Sequence, residues 1–282
     1  MLKKTLLSLC LCLATSNQLL PHVIVFDIGE VLLTTNKFQA FKQLGIMDTI
    51  IFGMKEWSNI SGKLRTKMFE LLTEIKPFDS TRKYETKDEN GILLPPLMVD
   101  WLTGTNPKEI RKKALDYCKQ KPSFFKNSQE RGLIEQLIKL MFTPEIFIKT
   151  RTQHKEIVKQ LQRIAAKKEH TLLICSNWDT YSFELCKKSF PEIFSHFDGF
   201  IVSGYTQNMK PSNDIFDLLK AAIDELPAKK RAGKTSSSTT KEQSVWFFID
   251  DQKENRVAAR KNGFLALHPD ELACYCKKYG LY

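Results

Sequence analysis

The sequence predicts an α/β fold: a parallel sheet covered by helices on both faces, with a long helical block inserted near its start. Three observations predict it. Short apolar runs recur at 23–26, 171–175, 199–202, 245–249 and 264–267, and helix-length segments separate the later ones. The first and fourth of these runs pass straight into aspartate. Between 37 and 150 strand signals are scarce, and apolar residues fall at helical spacing instead.

The elements follow in chain order. The run 23–26 is wholly apolar, as a strand buried on both faces is. In the block 37–150, Leu133, Leu137, Leu140 and Met141 mark one helix face, and Asn106-Pro107-Lys108-Glu109 has the form of a helix start. Its polar stretch 79–90 reads as a loop, and its length suits a domain. Helix 153–168 carries Ile157, Leu161 and Ile164 on one face and ends in lysines, which favour a helix C-terminus. Strand 171–175, helix 179–189 and strand 199–202 come next. Helix 212–226 turns Ile215, Leu218 and Leu219 inward. Strand 245–249, helix 255–261 and strand 264–267 close the pattern. Residues 17–36 and 151–282 thus form one core, and 227–244 is a basic, polar, flexible loop within it.

The 282 residues are enough for one large domain or two smaller ones. Hydrophobic residues make up 42% and charged residues 27%, which excludes a disordered chain. The net charge of +11 is spread along the sequence, and no nucleic-acid recognition motif accompanies it, so a nucleic-acid partner is not expected. A positive field still favours an anionic substrate. Lys3 and Lys4 precede an apolar run from Leu6 to Ala14 and a small-residue site at Ala14-Thr15-Ser16. Residues 1–16 therefore read as a signal peptide, too short for a membrane span, and predict export; a cytoplasmic chain with an apolar first helix is the alternative. Cleavage would leave five cysteines without CxxC spacing, which supports neither a disulfide framework nor a zinc site. Nothing in the sequence fixes the oligomeric state.

Ligands of open parallel sheets sit beyond the carboxyl ends of the strands. Asp27 follows the first strand, Ser176-Asn177 the second, Lys210-Pro211 the turn after the third, and Asp250-Asp251 the fourth. Each alone has a plainer explanation. An acid after a strand is commonly a turn residue, Lys-Pro a helix start, and Ser176 a helix cap. Adjacent acids closing an apolar strand are harder to dismiss, because they need a counter-charge. Together the carboxylates suit Mg²⁺. A lysine and a hydroxyl suit the outer oxygens of a phosphoryl group, and one carboxylate can act as nucleophile.

In that order, FDIGEV, LLICSN, MKPSNDIF and FFIDDQKENRVAARKNG resemble the four motifs of the haloacid dehalogenase superfamily, and the likeness covers nearly all the chain after the tail. It implies a Rossmann-like core with a helical cap at 37–150, and a Mg²⁺-dependent hydrolase acting on a small phosphorylated substrate such as a sugar phosphate. By position, Asp27 would be the nucleophile, forming an aspartyl-phosphate. Asp27, Asp251 and the Gly29 carbonyl would hold Mg²⁺, with Asp250 as a ligand or a support. Ser176, Asn177 and Lys210 would bind phosphate, Lys210 also serving Asp27, and Asn255 would support the site. The sequence departs from the family's phosphatases at Gly29, where they carry a second aspartate as acid–base. Three outcomes stay open: an enzyme that manages without it, a non-catalytic binding protein, or a haloacid hydrolase. Glu30 is adjacent, but on an extended backbone it would point elsewhere. In the block, Trp101, Gly104 and Phe124-Phe125 read as core and turn residues.

Overall fold

A computed structural model describes residues 21–43, 57–80, 93–231 and 244–282. The segment read as a signal peptide lies outside them, as do 81–90 and 232–243 of the two polar stretches. Among the described residues the chain runs β1 (Val23–Phe26), β2 (Leu33–Thr35), α1 (Lys37–Gln43), α2 (Trp57–Glu74), α3 (Pro96–Leu102), α4 (Pro107–Gln120), α5 (Ser128–Met141), α6 (Pro144–Lys149), β3 (Arg151–Gln153), α7 (Lys155–Ala166), β4 (Thr171–Ser176), α8 (Thr180–Ser189), α9 (Pro191–Phe194), β5 (Gly199–Val202), α10 (Ser203–Thr206), α11 (Asn213–Arg231), β6 (Trp246–Ile249), α12 (Lys253–Lys261), β7 (Leu265–Leu267) and α13 (Leu272–Tyr279). None of these helices is long and apolar enough to cross a membrane.

The main sheet is parallel, in the order β5-β4-β1-β6-β7. Parallel neighbours need crossovers, and the crossover helices cover both faces, giving a Rossmann-like core. On one face Phe26, Ile174 and Phe247 pack with Ile157 and Leu161 of α7 and with Leu272 of α13. Their chain neighbours Val25, Leu173, Cys175 and Phe248 pack on the other face, against Ile215, Phe216 and Leu219 of α11 and Ala259 of α12. This is the two-residue alternation of a strand, and each fully buried side chain of this size contributes roughly 1.5–3 kcal/mol.

Two details of α11 differ from expectation. Helix α11 runs to Arg231 rather than ending at 226. Leu218 is 41% exposed, because Phe216, Leu219 and Ile223 set the buried face and leave it on the flank.

The helical block has a core of its own. Leu71, Leu97, Trp101, Ile110, Ile138 and Phe142 are buried together, and Trp101 meets Phe142 edge-on at 5.0 Å. Asn106 caps α4 by accepting from the Lys108 amide at 2.9 Å. A two-stranded antiparallel ribbon joins this block to the sheet, with Thr34 opposite Thr152 and Thr35 opposite Arg151. Nothing in the sequence pattern announced it. The block also docks on the sheet's loops. Ser203 Oγ donates to the Leu102 carbonyl at 2.6 Å, and Gly104, at φ 109°, backs onto Gly204. A Cβ at Gly104 would lie 2.8 Å from the Gly204 carbonyl oxygen, so this approach needs glycine.

Candidate active site

From β1 the main sheet grows outward through β4 and β5, then the chain returns to the other side of β1 for β6 and β7. The change of direction lies between β1 and β6, the kind of place where open sheets bind ligands. Phe26 pairs with Ile249, so Asp27 and Asp250 leave the sheet side by side. The Asp27 amide donates to the Ile249 carbonyl at 2.9 Å. Carboxylate oxygens of Asp27, Asp250 and Asp251 lie within 4.8 Å of one another.

Lys210 is 1% exposed and donates to Asp27 Oδ1 at 2.8 Å and to Asp250 Oδ2 at 2.6 Å. Asn177 holds the lysine in place: its Nδ2 donates to the Lys210 carbonyl at 2.9 Å and its Oδ1 accepts the Lys210 amide at 2.8 Å. The Asn177 side chain thus fixes Lys210 with one of its two N–H donors and its oxygen. Burial alone would lower the Lys210 pKa, but Asp250 and Asp27 outweigh it and raise it well above the ordinary value. Burial pushes Asp250 upward against the pull of Lys210. Asp251 is half-buried and is pushed up to about 7 by burial, then by Asp27 and Asp250. One lysine cannot balance three carboxylates. A hard divalent cation is the chemical complement of the excess, so the donor set fits Mg²⁺.

Ser176 ends β4 at 1% exposure, and its Oγ has no hydrogen-bond partner among the described residues. It is not a helix cap. Asp179 caps α8, accepting the Ser182 amide at 2.9 Å. A buried hydroxyl left unpaired costs about 1–3 kcal/mol, a cost a bound ligand would remove.

Further groups fix the acidic pair. Asp250 accepts from the Gln252 amide at 2.8 Å and from Asn255 Nδ2 at 3.2 Å. Arg256 Nη1 donates to the carbonyls of Asp250 and Asp251, at 2.8 and 2.5 Å. Asp27, Gly29, Ser176, Asn177, Lys210, Asp251 and Asn255 line one cleft of about 140 Å³, and fully buried Asp250 lies beneath it. Glu30, Arg151, Trp178 and Gln252 line it too, although sequence reasoning did not place them there.

Gly29 has a φ outside the left-handed region. A Cβ built on it would meet only Trp178 Nε1 at 3.8 Å and Asp27 Oδ2 at 4.0 Å, so nothing local demands a glycine. Glu30 lines the cleft, but its carboxylate is held by Thr35, and its backbone is not extended. Its backbone is left-handed, at φ 53°, and its Oε1 accepts from the Thr35 amide at 3.2 Å and from Thr35 Oγ1 at 3.0 Å.

No family model and no curated protein matches this chain. Solved structures similar to it include a HAD family enzyme from Bacteroides thetaiotaomicron, at 15% identity over 88% of this chain and 93% of that one, with a TM-score of 0.47. The same enzyme in complex with magnesium and inorganic phosphate gives 14% identity and 0.46 over the same shares. A predicted HAD-like family hydrolase from Porphyromonas gingivalis gives 16% identity over 92% of this chain and 98% of that one, with a TM-score of 0.47. These likenesses are distant, and the side chains of this chain decide its chemistry.

Proposed function

We propose that this chain is a haloacid dehalogenase-type hydrolase of phosphate monoesters with Asp27 as its nucleophile. One observation carries the proposal: the buried, unpartnered Ser176 hydroxyl lines the same cleft as the Lys210–Asp27 pair. Lys210 occupies Asp27 Oδ1 and leaves Oδ2 to attack phosphorus. The P–O bond to the leaving group breaks, an acyl phosphate forms on Asp27, and water then cleaves it. The Lys210 ammonium offsets the charge of Asp27 as an anionic ester approaches. The Ser176 hydroxyl donates to an outer phosphoryl oxygen. Asp27 and Asp251, with the Gly29 carbonyl and with Asp250 in support, are the residues that would hold Mg²⁺, which when bound supplies positive charge to the phosphoryl oxygens. The helical block acts as a cap that excludes water.

No carboxyl at position 29 protonates the leaving oxygen, so esters with good leaving groups are the best substrates. The natural substrate is a small phosphometabolite, such as a sugar phosphate, turned over more slowly than an ester that leaves easily, and residues 1–16 direct export. Gly29 itself favours a second reading, a protein that binds Mg²⁺ and anions without turnover. A haloacid hydrolase working without metal is the third, and the three-acid cluster counts against it.

The test is phosphate release by the purified protein from aryl and sugar phosphates, with Mg²⁺, with EDTA, and after Asp27→Asn. The expected result is Mg²⁺-dependent release that disappears in the variant. A folded protein that binds Mg²⁺ yet releases no more phosphate than Asp27→Asn would establish the binding role. Halide release in EDTA would establish the third.

A further inference from the structure

We infer that Arg151 forms a second anion subsite in the cleft, selecting phosphate monoesters whose short leaving group carries a carboxylate of its own. This deepens the hydrolase proposed above and rests on it. Arg151 opens β3, where the chain returns from the helical block, and its pairing with Thr35 sets it beside the loop that follows Asp27. Its side chain is 14% exposed and reaches the cleft that Asp27, Ser176 and Lys210 line.

The charge of Arg151 is poorly compensated where it lies. Nη1 donates to Thr35 Oγ1 at 2.7 Å. The Glu30 carboxylate stands off at 3.7 Å, and its Oε1 already accepts twice from Thr35. Nε is buried without a partner among the described residues. The Phe147 ring lies 4.1 Å from the guanidinium carbon, and Trp178 meets Phe147 at 5.6 Å, so the cation sits against an apolar wall. Burial lowers its pKa against the pull of Glu30, yet a guanidinium stays charged at any working pH. A buried cation with its Nε unpaired, in the cleft that Ser176 and Lys210 also line, is a site for a second negative group.

The guanidinium plane suits a carboxylate, and the ring stacked on it holds that plane still. The small cleft demands that both anionic groups sit on one short molecule. Bracing of the β2–β3 ribbon is the competing role for Arg151. It predicts lost stability on substitution and no change in discrimination between substrates.

The experiment compares kcat/KM for 2-carboxyethyl phosphate, n-propyl phosphate and propane-1,3-diyl bisphosphate in the wild-type protein, Arg151→Met and Arg151→Lys, with Mg²⁺. The ratio of two substrates in one preparation is independent of the folded fraction, so a destabilised variant still reports. The wild-type protein is expected to favour the carboxylated ester over the propyl ester about 10- to 100-fold, the reach of one charge-assisted hydrogen bond. In Arg151→Met the ratio falls to near one, and Arg151→Lys keeps part of it. Preference for the bisphosphate that also needs Arg151 upholds the subsite and assigns it a phosphoryl group. A wild-type ratio near one for both anionic esters, or a ratio that survives in Arg151→Met, overturns the inference. If no ester is hydrolysed, the hydrolase reading fails by itself. Kd values for the same three esters with Mg²⁺ then decide the subsite: an Arg151-dependent preference upholds it, and equal affinities sink it.

Discussion

Replacing Gly29 with aspartate is the most direct trial of the chemistry. The backbone accepts a side chain at 29, since φ is ordinary there and a Cβ would have 3.8 Å to Trp178 Nε1 and 4.0 Å to Asp27 Oδ2. That Asp27 oxygen is the one Lys210 leaves free and the one proposed to attack, so a carboxyl at 29 starts beside it. Two like charges about 4 Å apart at an effective dielectric near 20 repel by about 4 kcal/mol, before any cation screens them. That repulsion raises the pKa of the new carboxyl and keeps it protonated, as a general acid must be. General acid–base groups are worth about 10²–10⁴-fold, so Gly29→Asp should raise kcat on alkyl phosphates by that order. It should change p-nitrophenyl phosphate turnover by less than about tenfold, because that leaving group departs without a proton. The assay is kcat with both ester types across a pH series in saturating Mg²⁺. No gain on alkyl esters from a folded, Mg²⁺-binding variant would refute the idea that position 29 limits turnover, and equal gains on both ester types would refute its role at the leaving oxygen and put its effect in hydrolysis of the aspartyl-phosphate.

Two further outcomes follow from the geometry. Asp251 holds its proton up to about pH 7 in the metal-free fold but only up to about 3.8 when unfolded. Its contribution is therefore full below about pH 3.8 and is lost as pH rises through about 7. The Tm of the EDTA-treated protein minus that of Asp251→Asn should fall across that window, and the stabilisation given by Mg²⁺ should grow over it; a flat difference excludes this. Gly204→Ala forces a Cβ to 2.4 Å from the Thr180 nitrogen, where α10 packs on the start of α8. Overpacking of this kind costs about 1–3 kcal/mol, so chemical denaturation should show a loss of that size, whereas Gly132→Ala, with nothing within 4 Å, should show none.

The main sheet was legible because each strand is a short run buried on both faces, which leaves an uninterrupted apolar signature at 23–26 and 246–249. The cleft was legible because the residues that matter follow those strands directly. The β2–β3 ribbon was not. Leu33-Thr34-Thr35 and Arg151-Thr152-Gln153 are too short and too polar to show a period, and their pairing spans more than a hundred residues. Arg151 was missed for that reason: it reaches the cleft only through the ribbon. Arg256 was missed because its work is to hold two backbone carbonyls, and no local pattern marks that. Ser176 taken alone could equally be a helix cap, because cap and ligand donor use the same hydroxyl; the placement of Asp179 removes the cap.

The buried ions bear on whether this is an enzyme or a binding protein. A buried ion cluster is a poor device for stability, since apolar residues of similar volume usually serve as well or better. Lys210 and Asp250 are both within 1% of complete burial, and Ser176 beside them leaves a hydroxyl unpaired. Such an arrangement makes sense where an anion and a cation complete it, and both readings require that. The cluster therefore cannot separate them. Position 29 can, because a binding protein has no use for a proton donor there, whereas a hydrolase without one turns over fastest those esters that leave easily. Turnover that tracks the leaving group in the wild-type protein, and ceases to track it in Gly29→Asp, is a pattern only an enzyme can produce.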